Sequence, residues 1–404
     1  MAIFFDDPVM IFEERSVMNN TPLVDNDVTG SSDWRKDPLN HWAFHHVTGF
    51  LNCRKIAHHP SASPFLPAHE AELGKLMINA PDGQKSSLID LLALTLTDGF
   101  VVLHKGHLVY EFYSNGMTHE SEHILMSASK SVTAVIAGIL ESKGVLDPEA
   151  AIVDYLPELK GGFYTAARVR DLLDMRTAAL NQDQLDAYEK AVGWGPGTGH
   201  SATAGLHSFF KELQIGDQPY GGGFRYVNPN SDLLGWILER ASGKCFADLV
   251  SELLWKPMEA EQDAYINVDC SGAPQCTRGI ITTTRDFGRL GHLIVNDGVH
   301  KGKQILSLAW LRDLSEGGDK MAWQTGDFAG GFGGLDMSYR NNFYIVHNQP
   351  GYIFAMGIYG QNLFMDPVQQ IVVAKLSSQN APLDVESIRI AHLIFGEIRN
   401  ALSR

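Results

Sequence analysis

Four cysteines in 404 residues leave little for a covalent framework. Cys53, Cys245, Cys270 and Cys276 are too few and too irregularly spaced for a disulfide scaffold or a zinc site with paired Cys-x-x-Cys ligands, so reduced thiols in a cytoplasmic protein are the expectation. Positive charge is scarce as well. Against 47 Asp and Glu there are 32 Lys and Arg, a net charge of −15 with no basic cluster of four or more, which speaks against nucleic acid and anionic membranes as partners. No stretch reaches about 18 uninterrupted apolar residues, so no membrane span is expected. The opening Met1-Ala-Ile-Phe-Phe-Asp-Asp-Pro8 carries acids where a secretory leader needs bases. Gly-x-Ser-x-Gly, His-Glu-x-x-His and Gly-x-x-x-x-Gly-Lys-Ser/Thr are all missing, so the α/β-hydrolase, zincin and P-loop readings fall away.

What is present is a globular composition, 44% hydrophobic and 20% charged, able to bury a substantial core. One stretch stands out. Residues 126–144 read as a single buried helix: Val132, Val135, Ile136, Ile139 and Leu140 follow helical spacing, and Ala134, Ala137 and Gly138 fill the other face. Gly144 is a natural residue just past its end. Yet the first turn carries Ser127, Ser129, Lys130 and Ser131. A lysine buried with no acidic partner in sight costs several kcal/mol unless it gives up its proton.

Ser127 and Lys130 are three residues apart, so a helix stacks them on one face as a nucleophile beside a base. The helix N-terminus leaves the Ser127 amide free to help hold a negative oxygen. Apolar surroundings and the positive helix end both favour the neutral amine, and a fall from about 10.4 to near 7, about 4 kcal/mol, would let Lys130 accept the serine proton. Acyl transfer by an activated serine follows. The competing reading is an N-cap serine with a lysine snorkelling to water. Ser208-Phe-Phe-Lys211 has the same spacing but sits in an amphipathic surface pattern.

Elsewhere, residues 1–40 read as an acidic, proline-punctuated arm that wraps the surface or is partly disordered. A helix is expected near Asn40, with Trp42, Phe44 and Val47 on it. His41, His45 and His46 invite a metal reading, but no carboxylate completes it and packing is favoured. Residues 87–96 look helical, and Phe100–Leu103, a Lys105-Gly106 turn and Leu108–Tyr113 read as a β-hairpin. From 145 to about 260 the signals are mainly helical, at 148–155, 167–175, 205–213 and 231–241. Glycine-rich loops at 193–199 and 220–223 interrupt them, and Trp194 needs something to pack on. Phe343–Val346, Phe354–Tyr359 and Ile371–Leu376 look like neighbouring antiparallel strands, the last two joined by an Asp366-Pro367 turn. A terminal helix follows Asp384, with Val385, Ile388, His392 and Phe395 on one stripe.

These elements give an α+β fold in which 1–125 and 270–404 form a lobe with an antiparallel sheet. Residues 126–269 form an inserted, mostly helical lobe, with the site between the two. A serine–lysine pair also needs a proton carrier, and Tyr226, in Tyr226-Val-Asn228, is the best placed: a phenol near an ammonium could ionise and shuttle protons. Tyr113-Ser-Asn115 and Tyr339-Arg-Asn341 repeat that triplet, so position gives it weight.

In order, Ser127-Ala-Ser-Lys130, Tyr226-Val-Asn228 and the late strands resemble the serine β-lactamase and penicillin-binding-protein superfamily. Within it the chain looks like the 6-aminohexanoate-dimer (nylon-oligomer) hydrolases, relatives of class C β-lactamases and family VIII carboxylesterases. Trp42-Ala-Phe44, His123–Ser131, Tyr155–Leu159, Leu172–Met175, Gly193-Trp194, Gly357–Leu363 and Asp366-Pro367 carry the likeness past residue 40. The resemblance implies Ser127 as acylated nucleophile, Lys130 as its base, and Tyr226 as acid/base for the leaving group. The amides of Ser127 and Ile358 would form the oxyanion hole, with Asn228, Trp194 and Gly357 in supporting or substrate-binding places. β-Lactamases carry Lys-Thr-Gly where this chain has Ala355-Met356-Gly357, and losing that cation favours linear amides or esters over β-lactams. The loop from Arg176 to Gln184 should border the substrate. No metal or organic cofactor is implied, and the partner expected is a small amide or ester; pairing with a second copy stays open. The alternatives are a family VIII-type carboxylesterase, a β-lactamase, or a binder or sensor that keeps the fold without catalysis.

Overall fold

The computed structural model describes residues 34–63, 65, 72–81, 83–194, 204–214, 220–332, 335–349 and 351–403. The expected arm up to residue 33 and the glycine stretch from 195 to 199 lie outside them. The first half of the chain supplies strands β1 (Cys53–Ile56), β2 (Thr97–His104), β3 (His107–Tyr113) and β4 (Glu122–Ile124). β5 (Ala264–Asn267) and β6 (Ile280–Thr283) follow mid-chain. Late in the chain come β7 (Met337–Arg340), β8 (Phe343–Val346), β9 (Tyr352–Gly357), β10 (Gln361–Asp366) and β11 (Ile371–Ser377).

Two antiparallel sheets organise the molecule. The larger runs β7-β8-β9-β10-β11-β2-β3, so the hairpin at 97–113 is bonded to the last strand of the chain. Its turn uses Lys105 (φ 50°) and Gly106 (φ 80°), the double left-handed conformation whose twist suits a two-residue hairpin. The smaller sheet runs β1-β5-β6-β4 and ends next to Leu125, whose amide donates to the Ile280 carbonyl at 2.8 Å.

Three late strands were read where five lie, and β10 intervenes between β9 and β11. The Asp366-Pro367 turn therefore joins β10 to β11. The large sheet is covered on both faces. Val101, Leu103, Leu363, Val372 and Ala374 pack into one core with Phe287 and Leu290, whereas Phe100, Val102, Phe364, Ile371 and Val373 meet Ile394 and Phe395 in another. Alternation between two dry layers is why these strands read as unbroken apolar runs.

The helices that matter are α1 (Ser129–Ser142), α2 (Gln182–Val192), α3 (Pro229–Ser242), α4 (Thr284–Val295) and α5 (Val385–Leu402). α1 is buried from Ser129 to Leu140 and stops at Lys143, with Gly144 left-handed at φ 67°. Gly138 is obligatory packing: a Cβ there would lie 2.5 Å from the Trp310 ring. α4, not foreseen, lies against the large sheet through Gly288 and Gly291, where a Cβ on the latter would meet Val372 at 2.5 Å. Asp384 caps α5 by accepting from the Ser387 amide. Its buried face is Ile390, Ala391, Ile394, Phe395 and Ile398, rotated from the expected stripe, so Val385, Ile388 and His392 are half-buried.

The helix near Asn40 is a single short element, Leu39–Ala43. The three histidines are occupied: His41 bonds Ser378 Oγ at 2.9 Å and Asp37 at 3.0 Å, His45 bonds the His41 carbonyl, and His46 bonds the Trp42 carbonyl and stacks on Trp42. Among the described residues no helix is long and apolar enough to cross a membrane.

Candidate active site

Between His123 and Leu140 every residue is buried except Ser127, which is partly exposed. The serine sits in a 3-10 turn, Met126–Ala128, that leads into α1. Met126 just before it is held at φ 47°, a left-handed conformation that costs a side-chain-bearing residue about 1–3 kcal/mol and persists only where packing enforces it.

Lys130, one turn on, is 1% exposed. Its Nζ lies 3.0 Å from Ser127 Oγ and donates to the Thr277 carbonyl at 3.1 Å. Burial pushes the amine down to about 7; a nearby carboxylate, Asp232, pulls the other way and Arg278 reinforces the fall. The lysine does not snorkel to water.

Tyr226 and Asn228 come from the turn that opens α3. The half-buried Tyr226 phenol hydrogen-bonds Ser127 and Tyr344, and its ring centre is 4.9 Å from Lys130 Nζ. Burial drives the phenol up to about 12, against the pull of those two hydrogen bonds. The phenol therefore holds its proton more firmly than the easy ionisation foreseen for this tyrosine, because burial penalises its anion. Its backbone amide is pinned by Asp327 at 2.9 Å, and Phe328 leans on its ring at 5.0 Å. Asn228 accepts at its carbonyl from Thr277 Oγ1 at 2.5 Å. Its side-chain oxygen is buried with no partner among the described residues.

On the opposite side, β9 ends at Gly357 against the serine. A Cβ there would stand 3.0 Å from the Ser127 nitrogen and 2.5 Å from the Leu125 carbonyl, so only glycine lets strand and nucleophile approach so closely. Ile358, next in line and partly exposed, opens a turn in which Tyr359 is left-handed at φ 64°. Buried Gln361 braces that turn, donating to the Ile358 and Tyr359 carbonyls at 3.3 Å and to Ser377 O at 2.6 Å.

Ser127, Lys130, Tyr226, Asn228 and Gly357-Ile358 thus converge from the turn before α1, the first turn of α1, the start of α3 and the end of β9. Trp194 does not join them at the surface. It is 3% exposed, edge-on to Trp34 at 5.3 Å and 4.8 Å from the Arg278 guanidinium. Nor is 176–184 wholly loop, since Asn181 caps α2 by accepting from Gln184 N. Sequence reasoning missed the polar wall behind the lysine: Asp232, Thr277, Arg278, Tyr188 and Glu189. Asp232 stands in the first turn of α3, where acids usually face water.

A two-faced antiparallel sheet beside a buried helix that offers one hydroxyl to one dry amine places the molecule among the serine hydrolases of β-lactamase-like fold. Comparison with known proteins goes further: the family model described as Beta-lactamase matches residues 91–395, and the chain belongs to that family. It is 32% identical over 356 residues to a 6-aminohexanoate-dimer hydrolase of Paenarthrobacter ureafaciens, covering 86% of this chain and 88% of that one. Among solved structures it resembles a Bacillus anthracis protein provisionally assigned as a 6-aminohexanoate-dimer hydrolase, at 27% identity and a TM-score of 0.83 over 95% of this chain and 99% of the other. A family VIII carboxylesterase, 16% identical with a TM-score of 0.58 over 82% of this chain and 99% of its own, shares the fold. The resemblance drawn from the motifs is borne out.

Proposed function

We propose that this hydrolase cleaves small linear amide or carboxylic ester bonds through an acyl-enzyme on Ser127, with short ω-amino-acid oligomers of the 6-aminohexanoate kind as the reference substrate. The observation that carries the reading is the 3.0 Å approach of a dry Lys130 amine to a partly exposed Ser127 hydroxyl. Lys130 takes the serine proton as Oγ attacks the carbonyl carbon, and the Ser127 and Ile358 amides hold the resulting oxyanion. Tyr226, protonated at neutral pH, gives its proton to the departing nitrogen or oxygen, and water then releases the acid by the reverse path. Substrate lies between the sheet lobe and the helical lobe, and the chemistry calls on no metal or organic cofactor. Four unpaired cysteines suit a reducing cytoplasm.

Turnover of p-nitrophenyl butyrate by the wild type and its loss in Ser127→Ala is the expected result; equal rates in both would sink the serine reading. Running a 6-aminohexanoate dimer, short-chain esters and nitrocefin side by side tests the substrate class. Buried Ala355, standing in the place of the cation that a lactam carboxylate would need, supports linear amides or esters over lactams.

A further inference from the structure

Linked to Lys130 through Thr277 lies a carboxylate that the acyl-transfer steps leave unused. Asp232, in the first turn of α3, is 2% exposed. Its Oδ1 accepts from the Thr277 amide at 2.8 Å and its Oδ2 from the Tyr188 hydroxyl at 2.5 Å. Thr277 turns its other backbone group to the lysine, accepting from Nζ at 3.1 Å. One residue therefore carries the carboxylate on its N–H and the amine on its C=O. Arg278 follows it, also buried, paired with Glu189 at 2.8 Å and lying 5.6 Å from the Tyr188 ring.

We propose that Asp232 is a positioning residue for the serine–lysine pair: through Thr277 it aims Nζ at Ser127, and its charge balances the ammonium formed when Nζ takes the serine proton. The inference rests on the reading of Lys130 as the base. Asp232 forms and breaks no bond; the proton moves from Ser127 Oγ to Lys130 Nζ and later back toward the leaving group by way of Tyr226. Burial raises the Asp232 carboxyl, opposed by the Tyr188 and Thr277 hydrogen bonds and by Arg278. The same Arg278 opposes charge on Lys130. Glu189 faces Arg278, and the Cys276 thiol and Tyr164 phenol, both buried and both raised in part by Asp232, complete the titratable surroundings.

Asp232→Asn tests this with little change of shape, because Oδ1 can still accept from Thr277 and the new amide can donate to Tyr188 Oη. Without the counter-charge the lysine loses its proton more readily, so the acid limb of kcat/KM for p-nitrophenyl butyrate should move down by about one pH unit. At the optimum, kcat should fall by about tenfold or more with KM nearly unchanged, as expected when only the transition state is touched. Tyr188→Phe, which removes one of the bonds holding the carboxylate ionised, should shift the limb the same way by less, and it serves if the Asn variant fails to fold. Asp232→Glu should restore part of the rate. An unmoved limb and unchanged kcat in both Asp232→Asn and Tyr188→Phe would overturn the inference and leave Asp232 a scaffold residue. Lys130→Ala in the same assay separates the two levels: if it stays active, the serine–lysine reading itself has failed.

Discussion

Replacing Gly357 by alanine tests whether the end of β9 forms the oxyanion site. Gly357 has φ −126° and ψ 153°, ordinary extended backbone, so alanine meets no torsional objection and any effect comes from space alone. The added Cβ would stand 2.5 Å from the Leu125 carbonyl, 3.0 Å from the Ser127 nitrogen and 3.1 Å from Gln361 Cβ. A relaxed carbon-to-oxygen contact is about 3.3 Å, so the strand end must retreat by roughly 0.8 Å. Leu125 cannot yield instead, because its amide is tied to Ile280 and its carbonyl accepts from Ala128 at 3.2 Å. The Ile358 amide rides on the strand that moves and the Ser127 amide does not. Misplacing one such donor lowers kcat by about 10²- to 10³-fold, roughly 3 kcal/mol. The overpacking lowers folding stability by about 1–3 kcal/mol. Steady-state kinetics on p-nitrophenyl butyrate beside a thermal melt reads both. If Gly357→Ala keeps kcat within about threefold of wild type while its melt falls, the Ile358 amide is not an oxyanion donor.

Acylation should rise with pH through a midpoint near 7, because below it Lys130 is an ammonium with no lone pair for the serine proton; a burst rate flat from about pH 5 to 9 would refute Lys130 as base. Tyr226→Phe should lose more on an amide than on the matching ester, since an amine must be protonated to leave and a phenol near 12 still holds the proton to give. Equal losses would reduce Tyr226 to a positioning role. Gly138→Ala drives a methyl into the Trp310 ring and should cost about 1–3 kcal/mol in a denaturant titration, with kcat per folded molecule unchanged. A melt equal to wild type would mean that α1 can shift without strain.

Local grammar carried some elements and not others. Ser127 and Lys130 were legible because a lysine at the foot of an apolar helix is an anomaly within four residues, and Lys105-Gly106 because few residue pairs adopt its turn. Asp232 was not: its importance depends on Thr277, 45 positions later in sequence, arriving behind the same lysine, and no periodicity records that. β10 escaped because Gln361–Asp366 is buried along its whole length, so polar and apolar residues do not alternate to mark a face. α4 escaped because Gly288 and Gly291 lower helix propensity, although their lack of side chains is what lets the helix lie close on β10 and β11. β4 and β6 are three and four residues long, too short for pattern to show. The rotated stripe of α5 and the neutral Tyr226 share a cause: both depend on what packs opposite, which only the assembled molecule decides.

The bond between β2 and β11 has a consequence for how the molecule comes into being. Some 270 residues separate these neighbours, so the early hairpin has no inner partner until all of them have left the ribosome. Until then it offers bare amide and carbonyl groups that any stray strand can join. Newly made chains should therefore need protection from one another for longer than a helical protein of this size, and activity should appear only after β11 has emerged.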